Sequence, residues 1–254
     1  MAAGSALRAD DAPPPAKRVV DAVKPFARQV VIDAEDVGTA PLRWHGHEWR
    51  RFGEGAAIVL GAYLADDQIV KFVSRQQNHV LNRYLSGVTH LGGGYGIDVA
   101  ALLAVGGFAA RDERMMDAGV DALESSFFAG GFVTPVIKRV AGRARPIHEL
   151  GKHSFHPLDS TYQSFPSGHA TNAFAIASAI ATRYQDNRYV PAIAYTLATS
   201  VAIARVHDRV HFASDVLVGG MIGHAIARSI VANHRRAHVA VIPTGNGIVA
   251  DIRF

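Results

Sequence analysis

Residues Ala173 to Ala181 form an apolar, alanine-rich run, and Phe165-Pro166-Ser167-Gly168-His169-Ala170-Thr171 stands before it. The run reads as a helix over Ala170 to Tyr184, with Ser167 or Gly168 near its cap. A helix start presents unpaired backbone N–H groups and the positive end of the helix dipole, so it is ready to hold an anion. Two other stretches make sense beside it: Lys138 followed by Arg145-Pro146, and Arg205 followed by His211 and Asp215. Arg and Lys are the usual clamps for phosphate, so three cations directed at one helix start point to a phosphate group.

Helical geometry brings these stretches together. A helix of about 16 residues runs roughly 24 Å. A break at Gln185 to Arg188 turns the chain, and Tyr189 to Arg205 returns over a similar length. Antiparallel neighbours of equal length carry Arg205 back to the end where His169 began. His211 and Asp215 follow at the start of the last long helix, with the i, i+4 spacing that puts both on one face. Lys138 and Arg145 close the preceding helical segment. All three stretches therefore meet at one end of a bundle. The remaining helical segments are Gly53 to Val73, Ser74 to Leu85, Ile97 to Ala110, Arg114 to Val140 and Phe212 to Asn233, with Gly92-Gly93-Gly94 and Gly130-Gly131 marking turns or close helix contacts. The tail alternates in β-branched residues over His238 to Ile242 and Ile248 to Phe254 around Thr244-Gly245-Asn246-Gly247, which reads as a β-hairpin. The expected fold is an all-α helical bundle with a small C-terminal β-hairpin: a flexible N-terminal arm over 1–25, a helical domain over 26–236 and the hairpin over 237–254.

Composition narrows the function classes. With 49% hydrophobic and 19% charged residues, the chain fits a globular helical protein or a membrane protein with polar helices. A formal charge of +4 without a dense basic block argues against nucleic acid as a partner. The absence of cysteine excludes disulfides, thiolate nucleophiles and Cys-ligated zinc. The uncharged helical runs are shorter than the usual ~18–20 residues of a membrane span, while polar helix ends are expected at an active site even in a membrane enzyme. The stretch Arg43 to Arg51 joins Trp44 and Trp49 to three arginines; an interfacial membrane anchor and an ordinary amphipathic connection fit it equally. His45 and His47 on one short loop are a weak metal signal. His148, His153 and His156 lie on the Ile147 to Phe165 loop, where they line a substrate mouth or are simply solvated.

Lys138-x6-Arg145-Pro146, Pro166-Ser167-Gly168-His169 and Arg205-x5-His211-x3-Asp215 together resemble the three-part signature of the type 2 phosphatidic acid phosphatase superfamily, which includes bacterial acid phosphatases and vanadium-dependent haloperoxidases. Ten fixed positions with two flexible gaps match by chance with a probability on the order of 10⁻⁷. The family usually has Ser before the last Arg, where this chain has Ala204. The resemblance implies that His211 is the nucleophile forming a phosphohistidine, that Asp215 supports its other N–H, and that His169 is the general acid. It implies that Lys138, Arg145, Arg205, Ser167 and the Gly168 N–H hold the phosphate oxygens, with no metal ligand and no cofactor.

The implied function is metal-independent hydrolysis of phosphomonoesters or diphosphates, favouring phosphorylated lipids at a membrane surface, with vanadate as an inhibitor. The alternatives are a soluble nonspecific acid phosphatase and a haloperoxidase with vanadate as cofactor. The resemblance also implies an extracytoplasmic, membrane-associated active site.

Overall fold

The computed structural model describes residue 28 and residues 30–237, 239–244 and 247–252, the last two segments and residue 237 by backbone alone. The flexible arm expected over 1–25 lies outside the described residues. Helix α1 covers residues 30–39. It is followed by α2 (Gly46–Ser74), α3 (His79–Val88), α4 (Gly94–Ala110), α5 (Glu113–Ser126), α6 (Thr134–Ala141), α7 (Gly168–Arg183), α8 (Tyr189–His207) and α9 (Ala213–Ala237). Past α9, the backbone of β1 (Val239–Thr244) pairs antiparallel with β2 (Gly247–Ile252), in register from Val239 opposite Ile252 to Thr244 opposite Gly247. The fold class is all-α.

Two departures from the expected helices have local causes. The Trp-Arg stretch is the beginning of α2: the His45 N–H donates to Glu48 Oε2 at 2.9 Å, closing a capping box that starts the helix there. The expected single helix over Arg114 to Val140 is interrupted by a π-helical turn at Phe127–Val133. Pro135, at the start of α6, cannot donate the i to i−4 hydrogen bond that a continuous helix needs. The widened turn also makes room for α7, since a side chain on Gly130 would lie 2.3 Å from Asn172 Oδ1.

Helix α7 is central, with α5, α8 and α9 packed against it. Its alanines allow this. Ala173 and Ala177 meet Leu85, Val88 and Val201 on one side, while Ala175 meets Phe128, Ile226 and Ile230 on another. The closest approach is to α9, where Gly219 and Gly223 form a small-xxx-small pair. A Cβ on Gly223 would lie 2.2 Å from the Thr171 carbonyl oxygen and 2.8 Å from the Ala175 nitrogen. That contact locks the register of the two helices that carry the motif residues.

The outer surface is apolar. Leu60, Leu64 and Phe72 of α2, Leu102 and Val105 of α4, and Ile193 of α8 are all exposed. Tyr189–His207 and the Ala213–Arg236 part of α9 are long and apolar enough to cross a membrane, and α3 with its following turn and α4 form a bent pair that passes the same test. Only 22% of the apolar window in α8 is buried, so most of its hydrophobic side chains lie outside the protein core. The chain is built for membrane association.

The α7–α9 contact predicts that Gly223→Ala destabilises the protein by about 1–3 kcal/mol through overpacking against backbone. Gly61→Ala on α2, where nothing lies within 4 Å of the added carbon, is the control. Thermal unfolding in detergent checks this: Tm falls for Gly223→Ala and is unchanged or raised for Gly61→Ala.

Candidate active site

Three chain reversals assemble the site at one end of the bundle. The first follows α6, where Gly142 turns the chain with φ +56° and a side chain would collide with the His156 carbonyl oxygen at 1.7 Å. From there Arg143 and Arg145 run beneath the 147–165 loop, which is tied back by His156 N–H to the Gly142 carbonyl at 2.7 Å and Ser164 N–H to the Arg143 carbonyl at 2.8 Å. The second reversal delivers Ser167 as the N-cap of α7, its hydroxyl accepting from the Ala170 N–H at 3.5 Å. The third follows α8, where the Val210 and His211 N–H groups both donate to the Arg205 carbonyl at 3.2 Å. Ser167 N–H donates to the Asp215 carbonyl at 3.0 Å, fastening the start of α7 to the first turn of α9.

The motif side chains converge here. A Cβ on Gly168 would lie 3.8 Å from Lys138 Cε, which places the lysine over the start of α7. Lys138 Nζ donates to the Gln163 carbonyl. Arg205 donates to Thr89 Oγ1 at 3.1 Å, and its Nε is buried without a hydrogen-bond partner among the described residues. The turn before α4 borders the opposite side, since a Cβ on Gly93 would lie 3.7 Å from His169 Nε2. Arg145 is close enough to Lys138 to disfavour its charge.

The electrostatics are those of cations crowded into a half-buried cleft. Lys138 is pushed down to about 8, first by burial and then by repulsion from Arg145 and Arg205, with Asp215 opposing. Burial lowers His169 to about 4, reinforced by Arg205, His211 and Lys138. His211 is also lowered to about 4 by burial, against the attraction of Asp215. Both imidazoles are therefore neutral near pH 7. Crowded positive charge above a helix start suits a multiply charged oxyanion. Vanadate has the same tetrahedral oxyanion chemistry.

His211 is buried, and its Nδ1 is 3.7 Å from Asp215 Oδ2, too long for a hydrogen bond. Asp215 is itself held firmly. Its Oδ2 accepts from Ser164 Oγ at 2.6 Å and from the Phe212 N–H at 2.8 Å, and its Oδ1 accepts from Arg143 at 2.6 Å.

Arg143 is 1% exposed and bridges onward to Asp66 Oδ2 of α2 at 2.8 Å. Asp66 in turn accepts from the Ser214 N–H and hydroxyl at 2.9 and 2.6 Å. The Arg143 guanidinium lies 4.1 Å from the Phe212 ring centroid. Asp66, Arg143 and Ser164 stand outside the three sequence motifs. A carboxylate that directly follows the apolar run Ala56 to Ala65 of α2 is the signal that announces such a network, because burial there demands a partner.

The remaining sequence candidates settle as follows. Ala204 points into the apolar cluster with Val88, Ala198 and Val201, so a side chain there serves packing. His153 Nδ1 meets Tyr63 Oη at 2.6 Å, and His156 stacks on Tyr162 at 4.3 Å, so both pin the loop. His45 caps α2, and His47 pairs with Glu48 at 2.8 Å.

Parts of the chain are similar to known proteins. The "Lipid A 1-phosphatase" of Rhizobium johnstonii is 38% identical over 97 residues, 37% of this chain and 38% of that protein. The "Phosphatidylglycerophosphatase B" of Bacillus subtilis is 29% identical over 177 residues, 63% of this chain and 78% of that protein. The chain thus spans 38% of the length of the first relative. The crystal structure of the transmembrane PAP2 type phosphatidylglycerolphosphate phosphatase from Bacillus subtilis superposes with a TM-score of 0.55 at 24% identity, covering 85% of this chain and 96% of that one, which shows a shared fold. Residues 122–238, which contain Lys138, Arg145, His169, Arg205, His211 and Asp215, match the model of the PAP2 superfamily.

Proposed function

We propose that the protein is a membrane-associated phosphatase of phosphorylated lipids, working through a phosphohistidine on His211 without a metal in the chemical step. The observation that carries this reading is one bundle end where Lys138, Arg145 and Arg205 gather around the start of α7 beside two neutral histidines. The lipid preference is supported by an apolar outer surface and by the names of the relatives, a lipid A 1-phosphatase and a phosphatidylglycerophosphatase.

The substrate phosphate rests on the N–H groups at the start of α7 and the Ser167 hydroxyl, and the three cations neutralise its oxygens. His211 Nε2 attacks phosphorus as the P–O ester bond breaks, and His169 gives its proton to the leaving oxygen. As His211 gains positive charge, its imidazole turns from 3.7 Å to hydrogen-bonding distance of the fixed Asp215 carboxylate, which stabilises it. His169, now neutral, takes a proton from water, the water oxygen bonds to phosphorus, and the P–N bond breaks to release phosphate. His169 must be charged for the first step, although it is neutral near pH 7 in the free protein. An arriving phosphate dianion offsets the repulsion from Arg205 and Lys138 and restores that proton. We place the site on the extracytoplasmic side, with the Trp44, Trp49 and Phe52 ring cluster at the far end of α2 suiting the opposite membrane interface.

Phosphate release from lipid A, phosphatidylglycerophosphate, phosphatidate and a soluble aryl phosphate, measured as initial rates with and without EDTA, tests the reading. The expected outcome is a kcat/KM at least about tenfold higher for one of the lipids than for the aryl phosphate, with initial rates unchanged by the chelator. Release from none of the lipids overturns it.

The low pKa of Lys138 sets a pH dependence with a definite sign. Its charge is present below about 8 and lost above it, so affinity for inorganic phosphate weakens as pH rises through that value. Calorimetric titration between about pH 7.5 and 9.5 is expected to show this decline in the native protein and a flatter, weaker profile in Lys138→Met. Identical profiles in the two proteins contradict the placement of Lys138 on the phosphate.

A further inference from the structure

A second cluster of titratable groups lies at the other end of the bundle. His234 sits 19 residues along α9 from Asp215, roughly 28 Å away at 1.5 Å per residue. It is 7% exposed, and both ring nitrogens face carboxylates. Nδ1 lies 2.6 Å from Asp121 Oδ1, while Nε2 lies 3.1 Å from Asp33 Oδ2 and 3.3 Å from Glu124 Oε2. Asp33 and Asp121 are fully buried, and Glu124 is 6% exposed. Neither Glu124 oxygen has a hydrogen-bond partner among the described residues, although both are buried and one is directed at Nε2. A buried carboxylate without a hydrogen bond is costly and calls for a ligand.

The arrangement around that carboxylate has the form of a metal site. The ligand atoms of Asp33, Glu124 and His234 all lie within 4.8 Å of one another. Two donors on a four-coordinate ion with bonds of about 2.0–2.1 Å are separated by roughly 3.3–3.4 Å, close to the spacing of Nε2 from the two carboxylate oxygens. The surrounding groups orient the donors as the outer shell of a metal site does. Asp121 holds Nδ1, which turns Nε2 toward Asp33 and Glu124, and Asp121 is itself fixed by Arg183 Nε at 2.6 Å. Asn233 Nδ2 donates to Asp33 Oδ1 at 2.7 Å and to Asp36 Oδ2 at 2.8 Å, leaving Asp33 Oδ2 on the His234 side.

We propose that Asp33, Glu124 and His234 form a binding site for one first-row divalent cation, with imidazole and carboxylate donors suited to Zn²⁺ or Mn²⁺. The ion joins α1, α5 and α9 at the end of the bundle away from the phosphate site and acts as a structural clamp. The site does not depend on the phosphatase reading, and its loss is expected to lower stability without entering the chemical step.

The test uses the full chain in detergent, stripped with a chelator and then titrated with Zn²⁺ and, separately, Mn²⁺. One equivalent of one of these ions is expected to bind and to raise Tm. Glu124→Gln, which keeps the side-chain shape, is expected to weaken binding at least about tenfold and to abolish the rise in Tm. Co²⁺ added to the stripped native protein is expected to give visible absorption bands of a low-coordinate imidazole and carboxylate site, and this measurement stands if the variant does not fold. Absence of binding overturns the proposal, and binding and Tm response unchanged in Glu124→Gln assign the metal to surface histidines and overturn it too. So does a Co²⁺ spectrum indistinguishable from the aqueous ion.

Discussion

The buried guanidinium of Arg143 holds the candidate site together. It joins Asp66 of α2 to Asp215 of α9 through contacts of 2.8 and 2.6 Å, and it also donates to the Ser214 hydroxyl and the Lys152 carbonyl. Two carboxylates flank one cation with no water-exposed face, so removing Arg143 leaves two buried carboxylates uncompensated, while breaking a single buried pair typically costs about 3–5 kcal/mol. The same contacts fix the Asp215 carboxylate beside His211. The site's geometry thus depends on one residue: Arg143 anchors the loop after α6, docks α2 against the start of α9 and sets the carboxylate beside His211.

Around this anchor the site is a store of unfavourable electrostatics. Lys138, His169 and His211 all sit below their ordinary pKa values because burial and mutual repulsion disfavour positive charge there. A dianionic phosphoryl group relieves that repulsion, and a developing transition state with more charge on its oxygens relieves it further. The contact of α7 with α9 fixes His169, at the start of α7, relative to Asp215 in the first turn of α9, because Gly219 and Gly223 bring the α7 backbone into direct contact with α9.

Much of this was legible in the sequence because the decisive features are periodic or local. The alanine-rich run and its Ser167 cap define α7, and equal helix lengths return Arg205 to His169. What was not legible required knowledge of which distant groups meet. Asp66 reads only as a charge interrupting a helix until Arg143 is found against it, and Arg143 looks like one of several basic residues near Lys138. The π-helical turn at Phe127–Val133 was hidden for a different reason: Pro135 and Gly130 weaken a helix locally, but whether the chain breaks or bulges depends on Asn172 of α7. The cluster of Asp33, Asp121, Glu124 and His234 spans some 200 residues of chain, beyond the reach of spacing arguments.

The central claim is that His211, supported by Asp215, is the group that accepts the phosphoryl moiety. Acid-quenched single turnover with a radiolabelled aryl phosphate, followed by peptide mapping, tests it most directly. Label is expected on the His211 imidazole in the native protein. It should accumulate further in His169→Ala, where the group that activates water is gone and the good leaving group needs little protonation. His211→Ala should carry no label. Label on another residue, or a phosphoenzyme that persists in His211→Ala, would contradict the account.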